Sequence, residues 1–210
     1  MRITLHPSYY LKVFRNLYLF SIYRFPHWHV FATEINRDYK NVVKQDLGTL
    51  YVDFVGDIGC GLGDIIGNLP NKNLKLIGFD IDSKVLKAAK KLHQHVDFYL
   101  INSSDFNFCF EMVENNKEYR SAGAFTLLNW INTEVLESFL EQAQKYPWRN
   151  VSQLFIYFDI RSISGEEKSE YQYIPTRKFL DQPNAIELLT KDSERNVCRV
   201  LIDIHSAKNI

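Results

Sequence analysis

Nine residues constrain this chain more than any others: Val55-Gly56-Asp57-Ile58-Gly59-Cys60-Gly61-Leu62-Gly63 directly follow an apolar run and open a helix-like segment. Glycine lacks a β-carbon, so three of them at alternate positions let the backbone turn tightly and approach a ligand closely. The surrounding pattern says where such a turn sits. Short apolar runs at Tyr51–Ile58, Leu74–Phe79, Phe98–Ile101, Ala122–Leu128 and Leu154–Phe158 read as buried strands. Helical segments are predicted between them at Gly63–Asn68, Ser83–His93, Phe108–Asn115 and Thr133–Tyr146, with Ser83 and Thr133 as N-caps. Alternation of this kind predicts an α/β fold, a Rossmann-like doubly wound sheet that is mostly parallel. In such sheets ligands bind at the carboxyl ends of the strands, where the glycine turn falls.

The ends of the chain differ from its middle. Apolar residues recur at helical spacing from Tyr9 to Tyr23, then Phe25–Val30 is dense in Pro, His and Trp, and Phe31–Leu47 resumes a helical pattern. We therefore expect a helical cap over residues 1–46, part of the same domain as a core over 47–210. Ala185–Leu189 and Val197–Ile204 flank a polar segment suited to a C-terminal antiparallel hairpin. The apolar stretch Leu17–Tyr23 is too short to span a bilayer, so membrane insertion is not expected. Lys plus Arg equals Asp plus Glu at 25 each, which disfavours general nucleic-acid binding. Cys60, Cys109 and Cys198 form no C-x-x-C pair, pointing to a reducing, cytoplasmic setting without structural zinc. The sequence leaves the oligomeric state open.

The glycine spacing discriminates between cofactors. A dinucleotide site needs G-x-G-x-x-G, but Asp64 stands three residues after Gly61. The segment instead resembles motif I of class I S-adenosylmethionine-dependent methyltransferases, D/E-x-G-x-G-x-G. That resemblance covers about Leu47 to Phe158 and implies S-adenosylmethionine as cofactor. It places Asp57, Gly59, Gly61 and Gly63 around the methionine end. At the end of the second strand, 17 residues after Gly63, Asp80 would accept the ribose hydroxyls, with Ile81 against the adenine. Asp82 reads as solvent-facing or helix-capping. Asn102 and Ser103 fall where the family contacts the adenine amino group, and Asn129 falls beside the transferred methyl.

Catalytic and acceptor-binding candidates are fewer. Trp28-His29, with Glu34 and Tyr39 after it, resembles a W-H-x(4)-E-x(4)-Y pattern of small methyltransferases of bacterial surface-polysaccharide gene clusters. His29 is then a candidate general base and Trp28 an apolar face for a sugar; the same residues could equally pin the N-terminal helices to the sheet. Asp159, at the end of the fifth strand, is a second catalytic candidate. Trp130 and Tyr171 are candidates for the acceptor pocket, Tyr171 within a lid-like segment. Leu128-Asn129-Trp130-Ile131 lacks the paired prolines of nucleobase amino methyltransferases. His27-x-His29 and His93-x-His95 lack an acidic or Cys partner at metal-ligand spacing, so they read as surface histidines and no metal is expected. The resulting expectation is methylation of a small acceptor, with a saccharide or nucleotide-sugar hydroxyl preferred; N-methylation of an amino sugar or small amine and noncatalytic cofactor binding are the alternatives.

Overall fold

Strand β1 (Phe54–Ile58) is buried at every position, and a strand with no polar face must be covered on both sides. In the computed structural model, which describes residues 7–33, 37–69, 73–102, 105–114, 122–128, 133–159, 186–191 and 196–204, that is its situation. β2 (Lys75–Asp80) and β4 (Ala122–Leu127) flank it in parallel. β3 (Asp97–Leu100) and β5 (Gln153–Asp159) extend the sheet outward, also in parallel. β7 (Asn196–Asp203) pairs antiparallel with β5 on one side and with β6 (Ile186–Lys191) on the other. Among the described residues, seven strands lie in the order β3-β2-β1-β4-β5-β7-β6. The expected mostly parallel sheet with a C-terminal antiparallel hairpin is therefore present, and the hairpin inserts its second strand against β5.

Helices α4 (Ser83–Leu92), α5 (Asn107–Glu114) and α6 (Thr133–Lys145) connect the strands. On one face, Phe106, Phe110, Phe139 and Trp148 pack on Phe54, Phe79 and Phe125. Phe110, Phe125 and Phe139 form a triangle of edge-on rings with centroids 5.2 to 5.8 Å apart, the geometry that aromatic quadrupoles favour. On the other face α3 (Asp38–Thr49) contributes Tyr39, Val43 and Leu47. Its Asp46 accepts a hydrogen bond from the Tyr157 hydroxyl at 2.6 Å and pairs with Arg199 at 2.7 Å, fastening α3 to β5 and β7. α1 (Pro7–Tyr23) and the single-turn α2 (Trp28–Phe31) complete the N-terminal region, where Val13, Leu19, Phe25 and Val30 pack with Leu62, Val85 and Ala88. No described helix is long and apolar enough to cross a membrane.

Two local expectations need correction. The helix expected over Gly63–Asn68 is only a 3₁₀ turn at Ile66–Asn68. Leu69 precedes Pro70 and is extended (φ −71°, ψ 136°), as the clash with a following proline ring requires, so the helix cannot propagate. The cap of α4 is Asp82, not Ser83: its Oδ1 accepts from the backbone N–H of Lys84 and of Val85. A carboxylate at that position also opposes the positive end of the helix dipole.

Candidate functional site

The strand ends carrying Asp57 and Asp80 are neighbours. β1 ends in the glycine turn, and Gly59 and Cys60 donate their N–H groups to the Phe79 carbonyl at 2.8 and 3.0 Å, which holds the turn against β2. Gly59, Gly61 and Gly63 all have positive φ (71°, 57° and 78°), the left-handed region that a side chain disfavours. The turn therefore requires glycine at all three positions, although they face different ways. Gly61 lines a cleft, whereas Gly63 backs onto His93 and Phe98 in the interior.

Asp80 is nearly buried and organises the rim. Its Oδ2 accepts the Gly61 N–H and its Oδ1 accepts the Asp82 N–H, both at 2.9 Å. A carboxylate has about four acceptor sites, so each oxygen retains capacity toward the cleft after these bonds. Asp57 lies beneath, opposite Thr126 in the β1–β4 register, and its Oδ1 accepts the Thr126 hydroxyl at 2.5 Å. Its Oδ2 is buried and has no hydrogen-bond partner in the described structure. Burial raises the Asp57 carboxyl from 3.8 to about 7, against the opposing effects of the Thr126 hydrogen bond and the Lys40 charge. An acceptor left orphaned in the interior is costly, and a cationic donor brought to it would relieve that cost.

The cleft above these acids encloses about 380 Å³, within the range of pockets for drug-sized ligands. Gly59–Leu62 and Asp80–Asp82 form one wall, Ile101, Phe106 and Val135 a second, and the N-terminal region a third, through Pro26, Trp28, His29, Ala32, Arg37 and Lys40. Ile81 is an exposed apolar side chain at the rim. His29 stacks at a tilt on Trp28, with centroids 5.8 Å apart, and meets the Phe25 ring edge-on. Burial lowers the His29 pKa below 6.5, outweighing the carboxylates of Asp80, Asp82 and Asp64, so the imidazole is neutral at neutral pH.

Of the candidate residues, the structure brings Trp28, His29, Gly59, Gly61, Asp80 and Ile81 together on the cleft; Asp57 is buried next to the lining residue Ile58 and, like Gly63, does not itself line it. Asn102 is exposed just past β3, outside the cleft lining. Asp159 is buried at the end of β5 opposite Val197 and also does not line the cleft. Ser103, Asn129, Trp130 and Tyr171 lie outside the described residues, as does Glu34. One histidine reading is overturned: His93 is buried, not on the surface. Gly67 makes room for its ring, since a β-carbon there would stand 2.2 Å from Nδ1, and burial lowers its pKa to about 4. The described residues contain no cluster of metal-ligating groups. Cys60 is buried, and burial pushes its thiol up, as suits a space-filling role in the turn.

The sequence reading missed three residues. Thr126 shows no motif; only the β1–β4 register sets it against Asp57. Lys40 and Asp64, both on the cleft, form a buried ion pair at 2.9 Å, and the same ammonium donates to the Ala32 carbonyl at 3.0 Å. Asp64 was conspicuous as the residue that spoils a dinucleotide pattern, but nothing local announced its partner 24 residues away.

No family model matches the chain. A protein of Invertebrate iridescent virus 6 described as a candidate methyltransferase, 235L, is 30% identical over 110 residues, which amount to 50% of this chain and 39% of that protein. The chain thus spans about two fifths of the length of that relative. Among solved structures, a candidate O-methyltransferase of Nostoc punctiforme superposes with a TM-score of 0.57 at 12% identity, covering 84% of this chain and 60% of that one. Magnesium protoporphyrin IX methyltransferase of Synechocystis, solved with S-adenosylhomocysteine bound, gives 0.50 at 15% identity and covers 78% and 81% of the two chains. The strand order and these superpositions agree. The fold is that of the class I S-adenosylmethionine-dependent methyltransferases.

Proposed function

We propose that this protein is an S-adenosylmethionine-dependent methyltransferase acting on a small acceptor, with a saccharide or nucleotide-sugar hydroxyl as the preferred class. The observation that carries the cofactor reading is the Asp80 carboxylate, fixed by two backbone N–H groups at the end of β2 beside the glycine turn. Its remaining acceptor capacity suits a pair of ribose hydroxyls. The orphaned Oδ2 of Asp57 suits an ammonium, and Ile81 offers an apolar surface to an adenine. When bound, the cofactor supplies an electrophilic methyl group. The residues of the chain then have to align an acceptor and exclude water.

His29 supports the hydroxyl reading. A neutral imidazole on the cleft wall can take the proton of an acceptor hydroxyl as its oxygen forms the new bond to carbon. Trp28, about half exposed beside it, presents a flat apolar face of the kind on which a sugar ring packs. Three free, buried cysteines support a cytoplasmic setting.

Calorimetric titration with S-adenosylmethionine and S-adenosylhomocysteine tests the cofactor reading. The wild-type chain is expected to bind both. Asp80→Ala removes charge-assisted hydrogen bonds worth about 1.5 to 3 kcal/mol each and should weaken binding at least tenfold. Unchanged affinity in that variant defeats the assignment. Transfer of labelled methyl to nucleotide sugars, amino sugars and simple amines then separates hydroxyl transfer from N-methylation. Cofactor binding without transfer to any of them favours a noncatalytic role.

A further inference from the structure

Helix α1 is apolar on two opposite sides, and the described residues cover only one of them. Val13 and Leu19 of its inner side pack with Val30 of α2 and Val85 and Ala88 of α4. On the outer side, Tyr10, Leu11, Phe14, Leu17, Tyr18 and Ile22 follow a spacing of i, i+1, i+4, i+7, i+8 and i+12, which is one arc of a helix. Each is between 40% and 71% exposed. The polar residue within that arc, Ser21, donates its hydroxyl to the Tyr18 carbonyl at 2.7 Å, so covering the face strands no donor there. Lys12 and Arg15 are half-buried, within electrostatic reach of Asp64, and lie off the arc. A surface helix ordinarily carries one apolar stripe toward the core and a polar face outward, so a second apolar stripe calls for a second cover.

We propose that the outer face of α1 is the two-fold interface of a homodimer. The six side chains present roughly 700 Å², close to the ~800 Å² per partner of a standard-size interface. A two-fold contact must be self-complementary, and an uncharged stripe along one helix meets that condition. Antiparallel pairing sets Tyr10 against Ile22 of the partner subunit and Phe14 against Tyr18 of the partner subunit, with the two helix dipoles opposed. The net charge of zero leaves no long-range repulsion between copies. A lipid surface is the poorer occupant, since an interfacial helix needs a solvated cationic face opposite its apolar one, and that side of α1 is instead packed on α2 and α4. The proposal is independent of the catalytic reading.

Sedimentation velocity over a concentration series, with three variants, tests it. The wild-type chain is expected at twice its 24.7 kDa mass. Phe14→Asp and Tyr18→Asp should each raise the dissociation constant about 100-fold or more, because a two-fold axis counts every substitution twice. Their melting temperatures should stay near wild type, since neither side chain belongs to the monomer core. Leu17 lies next to the axis of the antiparallel pair, and all three native cysteines are buried. Leu17→Cys should therefore cross-link to a dimer under mild oxidation, which decides the matter even if the aspartate variants fold poorly. A monomer at about 100 µM overturns the proposal. So does a dimer that survives both aspartate substitutions, absence of the Leu17→Cys cross-link, or a monomer that co-sediments with phosphatidylcholine–phosphatidylglycerol vesicles through this face.

Discussion

The His29 ring stands directly over Gly61: a β-carbon on that glycine would lie 3.1 Å from both Cε1 and Nδ1. This contact joins the N-terminal region to the glycine turn, so the cleft wall that carries His29 and the wall that carries Gly61 share one steric boundary.

Gly61→Ala meets that boundary and the positive φ of 57° together. The left-handed backbone alone costs about 1 to 2 kcal/mol for a residue with a β-carbon, and the crowded imidazole adds to it. Urea denaturation should show a loss of that order or somewhat more. In a His29→Ala background the same substitution should cost less, because the crowding is gone. Strict additivity would mean that the two residues do not interact.

For His29→Ala, a general-base role predicts nearly unchanged donor affinity with methylation slowed by about 100-fold or more. The acid limb of the wild-type rate profile should then fall below pH 6.5, because burial disfavours the imidazolium. A packing role predicts the opposite division: a lower melting temperature and normal turnover per folded molecule. Steady-state kinetics beside thermal melts separates the two.

Asp57 and His93 should oppose each other as pH changes. Asp57 holds its proton more tightly folded (about 7) than unfolded (3.8), so its contribution to stability falls as pH rises through that window. His93 titrates near 4 when folded and 6.5 when unfolded, so its contribution is full above 6.5 and is lost as pH falls toward 4. Asp57→Asn removes the falling component. The stability difference, variant minus wild type, should therefore grow from pH 4 to pH 7 and then level, since groups common to both proteins cancel. A difference that is flat with pH would show that the Asp57 carboxyl titrates normally.

Lys40→Met should remove the direct ion-pair partner of the buried Asp64 carboxylate, a change that costs about 3 to 5 kcal/mol for an uncompensated charge and less here because Lys12, Arg15 and Lys44 remain within electrostatic reach. Lys40→Met combined with Asp64→Asn should recover most of the loss. Failure of the double variant to recover would mean that Lys40 matters through its bond to the Ala32 carbonyl instead.

What was legible in the sequence was what local chemistry decides. Buried strands are continuous apolar runs because both faces of the sheet are covered, and the turn after β1 shows as glycines because its backbone enters the left-handed region. Asp57 and Asp80 could be placed on one rim because parallel strands all end at the same side. Tertiary structure alone decided the rest. Thr126 reaches Asp57 across 69 residues, Asp64 finds Lys40 across 24, and His29 stands over Gly61 across a segment that includes both α3 and β1. None of these pairs has a spacing that a helix or strand period could reveal. They exist because three packed layers bring distant segments together, and each buried polar group then takes whichever partner the packing has placed within reach.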